Sequence, residues 1–227
     1  RLEQIVKIQK HAAFQVSLEG LESHNDRIRG RGTYRRAMEF LERLREFGIY
    51  SMVMLTLTRD NIDQVLPLAE VLRERVDLFT FNRRSRAGEG AALALPGQAD
   101  YIGFLGEYLE EAKKNPVLGL KDNLLNIFCH AHGDGVFGGC TGYGCGAAFN
   151  FLTLLPDGEV HACRKFPSPI GNIRESSLSQ IYDSEPARRY RSGSQACLGC
   201  PIRAVCGGCL ASAYSFGLDV LTHRDPY

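Results

Sequence analysis

Residues 197–209 read CLGCPIRAVCGGC, four cysteines in thirteen positions with glycines and a proline between them. Thiols at this density have three chemical uses: a pair of disulfides, a structural zinc, or thiolates on an iron–sulfur cluster. Disulfide frameworks belong mostly to short secreted chains that cannot build a core. This chain has 227 residues, 44% of them hydrophobic, and neither a secretory signal nor a membrane span stands out in it. All eight cysteines fall between Cys129 and Cys209. Such crowding favours a local inorganic centre over cross-links spread through a fold. For zinc, paired CxxC knuckles usually stand about 15 to 20 residues apart, whereas five residues separate Cys200 from Cys206.

Upstream, GCTGYGCGAAFNFLTLLPDGEVHAC (139–163) adds Cys140, Cys145 and Cys163, so seven thiols need a role. FNFLTLL and EVHAC flank Pro156-Asp157-Gly158, a turn signal between two apolar runs, which predicts a β-hairpin that returns Cys163 towards Cys145. Cys129 stands apart and reads as a buried small hydrophobe. His130 and His132 beside it have no partner at ligand spacing and read as solvated loop residues.

Residues 1–118 contain no cysteine and alternate between strand and helix periodicity. FQVSL (14–18), YSMVMLTLT (50–58) and DLFTFN (77–82) have strand length and composition. Helices are predicted at the start of the chain (LEQIVKIQKH), from Thr33 to Gly48, after a cap at Asn61 or Asp63, and over about 99–113. Pro67 falls near the first turn of its helix, where a missing N–H matters least. Strand and helix in alternation predict an α/β fold with a parallel sheet and right-handed crossovers. Ligands of such sheets sit beyond the C-terminal ends of the strands.

The run from Cys145 through Gly158 to Cys163, followed by CxxC, five residues and CxxC, resembles the SPASM domain, the C-terminal extension of many radical S-adenosylmethionine (SAM) enzymes. The resemblance implies two auxiliary [4Fe-4S] clusters, one on Cys140, Cys145, Cys163 and Cys209, the other on Cys197, Cys200, Cys206 and a final cysteine further on. This chain departs from the family pattern twice. Two residues rather than three separate Cys206 from Cys209, and the chain ends at HRDPY without the final cysteine; in the family that cysteine follows a similar segment, so it is expected at or just past position 228. The implied architecture is the C-terminal half of a partial (β/α)6 barrel over residues 1–118, holding its strands four to six, then a small Cys-rich SPASM domain over 119–227. By the same resemblance Ser17 and Arg29 contact the methionine and ribose part of SAM, backbone groups around Phe81 and Asn82 meet its adenine, and Gly88-Glu89-Gly90 lets the chain pass close to it. A guanidinium suits a carboxylate through paired, charge-assisted hydrogen bonds.

The CxxxCxxC loop of radical SAM enzymes is absent, since no cysteine precedes Cys129. The chain therefore reads as a fragment whose first three strand–helix units lie upstream, and which alone cannot cleave SAM. The whole protein would cut SAM to methionine and a 5′-deoxyadenosyl radical and abstract hydrogen from a peptide or protein, with a flavodoxin or ferredoxin as electron donor. The wording GCGAAFNFLTLLPDGEVHACRKFPSPIGNI with CGGCLA resembles peptide maturases of the thio(seleno)oxazole or selenobiotic type. Seven arginines in residues 27–45, with RRSR and RRYR further on, raise nucleic-acid binding. Interleaved acidic residues and a net charge of +1 favour solvated helix faces instead, with no nucleic-acid or membrane partner and a cytoplasmic location. The rival readings are a zinc-stabilised interaction module and a non-catalytic iron–sulfur protein for electron transfer or peptide docking.

Overall fold

The computed structural model describes residues 2–9, 11–86 and 92–227. Two compact units share the chain, residues 1–84 with 94–120 in the first and 85–93 with 121–227 in the second. The Gly88-Glu89-Gly90 stretch lies outside the described residues.

In the first unit the strand-like runs become β1 (Ala13–Ser17), β2 (Tyr50–Leu57) and β3 (Leu78–Arg83), a parallel sheet in the order β1-β2-β3. Helix α1 (Leu2–Ile8) precedes β1; α2 (Glu22–Arg29) and α3 (Thr33–Glu46) join β1 to β2; α4 (Val65–Leu72) joins β2 to β3; α5 (Gln98–Ala112) follows β3. Alternation along β2 sends Val53, Leu55 and Leu57 to a fully covered face. Phe14 meets Phe40 of α3 at 5.7 Å between ring centres, and Phe81 stands edge-on to Phe104 and Tyr108 of α5 at 5.2 and 5.1 Å. Each large side chain so covered contributes about 1.5–3 kcal/mol. The register sets Ser17 beside Met54 and Met54 beside Thr80, with Thr56 beside Asn82, in rows on the other face. Ser17, Met54, Thr56 and Asn82 there are half-buried.

One predicted helix start is corrected. Helix α4 is entered through a 3-10 turn, Ile62–Gln64, and has no side-chain cap. Asn61 is 1% exposed and serves the sheet instead. Its Oδ1 accepts from Thr58 N and Oγ1 at 2.8 and 3.1 Å, while its Nδ2 donates to Glu19 O and Thr56 O at 3.2 and 3.1 Å. A cap needs only an acceptor; the ends of β1 and β2 present buried carbonyls that need a donor as well.

In the second unit, α6 (Leu125–His132) leads into a cysteine-bearing loop, and β4 (Thr153–Leu154), β5 (Glu159–His161) and β6 (Pro169–Asn172) form an antiparallel sheet in that order. The predicted hairpin is β4–β5, turning at Gly158 with φ +90°. Strand β6 was not predicted, since its proline and glycine mask a strand that lies at the edge of the sheet, where a missing N–H is tolerated. Helices α7 (Leu178–Tyr182) and α8 (Glu185–Ser192) follow, α7 closed by a Ser177–Gln180 capping box and α8 capped by Ser184. Helix α9 (Leu210–Ser215) supplies Leu210 and Ala211 to a core with Val160, Ala162, Phe166 and Ile170. His130 and His132, expected in a loop, occupy the exposed last turn of α6, and Cys129 on the same helix is buried. Among the described residues no helix is long and apolar enough to cross a membrane.

Candidate functional site

The end of β1 is organised by Glu19, which the sequence reading passed over. Its Oε1 accepts from Arg29 Nε and Nη2 at 3.1 and 2.5 Å, its Oε2 accepts from Thr56 N at 3.1 Å, and its own N–H donates to Asn25 Oδ1 at 3.1 Å. Arg29 is thereby tied back to the strand ends two residues beyond Ser17. The Nε–Nη2 edge of its guanidinium is occupied by Glu19, and the Nη1–Nη2 edge is the other bidentate fork that a guanidinium has. Phe81 and Asn82 part company. The Phe81 ring is buried among α5 aromatics, so only its backbone is disposed towards a ligand. Phe79 N donates to Val117 O and Phe79 O accepts from Gly119 N, so the Phe81 N–H and C=O, two residues on, point to that same outer edge of β3. The Asn82 side chain lies in the row that includes Thr56. Only Glu19's position two residues after Ser17 hinted at its role, and nothing in its spacing predicts the Arg29 pair.

All eight thiols lie in the second unit. Cys140, Cys145, Cys163 and Cys209 are spread over seventy sequence positions, yet Cys209 raises each of the other three thiols, and Cys163 raises Cys145. The hairpin brings this about: Ala148 N donates to Ala162 O at 2.9 Å, next to Cys163. Burial pushes the Cys145 thiol up to about 12, with Cys209 adding to the rise. Backbone N–H groups of Ala147 and Leu210 point at the Cys145 sulfur, and Lys165 N donates to Cys163 Sγ at 3.5 Å. Burial also raises Cys163 and Cys140, although Cys140 is the most exposed of the four at its surface; Lys121 draws Cys140 back down.

Cys197, Cys200 and Cys206 follow one another through tight turns: Cys200 N donates to Cys197 O at 3.1 Å and Cys206 N to Ile202 O at 2.9 Å. Burial raises Cys197, against the nearby Arg224 and Arg203 charges. Cys197 and Cys200 line a cavity of about 430 Å³ together with Cys145, Tyr143, Arg191 and Arg203. A larger trough of about 740 Å³ between α3 and α4 has charged walls such as Glu42, Arg45, Glu70 and Arg75 and contains no thiol. Among the described residues no three His, Cys, Asp or Glu side chains gather closely enough to hold a single ion. The donor chemistry nevertheless fits a cluster. Softness of the ligands, backbone N–H groups directed at sulfur, and adjacent cations are the features by which a protein holds iron–sulfur centres and tunes their potentials.

The SPASM family, described as an iron–sulfur cluster-binding domain, matches residues 145–201. The chain is 28% identical over 221 residues to the mycofactocin maturase MftC of Mycolicibacterium smegmatis, covering 91% of this chain and 54% of that protein. It is 25% identical over 238 residues to an AdoMet-dependent heme synthase of Methanosarcina barkeri, covering 93% of this chain and 66% of the relative. Its fold matches that of Streptococcus suis SuiB bound to the precursor peptide SuiA, with a TM-score of 0.67 and 17% identity over 99% of this chain and 55% of that one. The chain thus spans between about half and two thirds of the relatives it matches. Residues 145–201 match an iron–sulfur cluster-binding SPASM domain, and over about nine tenths of its length the chain is similar to a mycofactocin maturase and an AdoMet-dependent heme synthase.

Proposed function

We propose that Cys140, Cys145, Cys163 and Cys209 ligate one auxiliary [4Fe-4S] cluster and Cys197, Cys200 and Cys206 a second, in a protein that uses SAM to modify a peptide or protein. The observation that carries this reading is the match of residues 145–201 to an iron–sulfur cluster-binding domain, supported by the Ala148–Ala162 bond that returns Cys163 towards Cys145 and by backbone N–H groups directed at those two sulfurs. Ser17, the free fork of Arg29 and the outward backbone of Phe81, with Asn82, form the SAM side, and Glu19 holds Arg29 in place for it. When bound, SAM supplies the oxidising fragment: one electron into its sulfonium releases methionine and a 5′-deoxyadenosyl radical that takes a hydrogen atom from the substrate. The residues of this chain bind, orient and store charge around that chemistry. An electron donor of the flavodoxin or ferredoxin class and a cytoplasmic location follow from the same reading, because so many thiols stay reduced only in a reducing compartment.

A peptide substrate is supported by two relatives, one a mycofactocin maturase and one solved with a precursor peptide, while the heme synthases point to a tetrapyrrole. The thio(seleno)oxazole or selenobiotic type is the narrower form of the peptide reading. Anaerobic reconstitution with iron and sulfide tests the centre. Up to about eight irons per chain are expected, with brown colour, and Cys145→Ala or Cys163→Ala should remove about four. Stoichiometric zinc with no iron would overturn the reading.

A further inference from the structure

The peptide group between Gly208 and Cys209 is gripped at both ends by side chains from distant parts of the second unit. Its carbonyl accepts from Asn123 Nδ2 at 2.6 Å, and its N–H donates to Asp225 Oδ2 at 2.7 Å. Asn123 is 4% exposed, and its Oδ1 accepts the backbone N–H of Cys140 at 2.6 Å. One buried amide therefore joins the loop of Cys140 to the turn of Cys209. Asn126, three residues on, makes the matching pair of bonds a step away from those thiols, with Nδ2 to Val205 O at 3.1 Å and Oδ1 from Phe137 N at 2.9 Å.

Local sequence alone leaves this peptide loose. Gly207 and Gly208 have φ of +57° and +64°, and consecutive glycines are the most permissive backbone in the cysteine-rich motif. A Cβ on Gly208 would stand 2.6 Å from Asp225 Cβ, so the approach of Asp225 needs glycine there. Both ends of the peptide that leads into Cys209 are thereby fixed, three residues after Cys206.

We propose that Asn123 and Asp225 are positioning residues that hold the Gly208–Cys209 peptide and thereby commit the Cys209 thiol to the Cys140, Cys145 and Cys163 group instead of to Cys197, Cys200 and Cys206. The inference rests on the cluster assignment above and supplies the reason that the cysteines of one short motif divide between two centres.

The test is an anaerobically reconstituted full chain titrated with dithionite and followed by electron paramagnetic resonance. Asn123→Ala and Asp225→Ala should shift the g values and midpoint potential of one cluster, with loss of up to about four irons on desalting, and leave the other cluster's signal in place. Asp225→Asn, whose Oδ1 still accepts from Cys209 N, should restore the wild-type spectrum. Asn126→Ala should lower thermal stability to a similar degree without moving that signal, which separates positioning from mere loss of stability. If Asn123→Ala fails to fold, the Asp225→Ala and Asp225→Asn pair carries the comparison. Wild-type iron–sulfur spectra that both alanine variants leave unchanged would overturn this proposal alone. A wild-type chain that takes zinc in place of iron would overturn the cluster assignment and the proposal with it.

Discussion

Asp26 sets the junction between α2 and α3, and so the direction in which Arg29 leaves its helix. Its carboxylate accepts from Tyr34 N at 2.9 Å, Gly32 N at 2.5 Å and Thr33 Oγ1 at 3.1 Å. These bonds, the one from Tyr34 foremost, hold its pKa at about 2. A depressed carboxylate contributes stability above its unfolded value, about 3.9, and loses it as pH falls through the folded value. Asp26→Asn should therefore be less stable than wild type at neutral pH, and the difference should shrink between about pH 3.9 and 2. Urea denaturation at a series of pH values measures this; a gap that persists undiminished at the acid end would show that the ionised form is not the stabilising one. The role of Asp26 was invisible in HNDRIRG, because its three partners lie six to eight positions further on.

At the scale of elements, periodicity located the three strands and helices α3 and α5 of the first unit to within one or two residues, since alternation in β2 and the apolar stripe of α3 each report a single buried face. Helix α2 and strand β6 were missed, as were helices α6 to α9 of the second unit. Helix α2 is polar along most of its length, and β6 is interrupted by proline and glycine. The correction at Asn61 yields a test. As a helix cap, Asn61 would tolerate Asp. As the buried donor to Glu19 O and Thr56 O, it would not. Both Asn61→Ala and Asn61→Asp should then cost about 2–3 kcal/mol in chemical denaturation, because each leaves buried carbonyls without a donor. An Asp variant as stable as wild type would restore the cap.

For the molecule as a whole, the residues assigned to SAM belong to the first compact unit and every cysteine belongs to the second. No thiol lies among the first 128 residues, so the first unit of this chain carries no cysteine ligand for a cluster. Incubated with SAM and dithionite, the reconstituted 227-residue chain should produce no 5′-deoxyadenosine above a no-protein control, as read by chromatography. Turnover would mean that one of the assigned auxiliary centres cleaves SAM.

The sequence by itself determined the α/β character of the first unit, the hairpin at Pro156-Asp157-Gly158 and the resemblance of its cysteine pattern to a SPASM domain, because each depends on spacing between near neighbours: period two, period 3.6, a turn, and CxxC pairs. What only the tertiary structure decided are the contacts between residues far apart along the chain. Glu19 holds Arg29 across a helix, Asn61 closes the ends of two strands, and Asn123 with Asp225 fixes one peptide from 85 and 16 positions away. An amide or carboxylate has no periodicity of its own. Its role is set by which buried donors and acceptors remain once the backbone has folded around it.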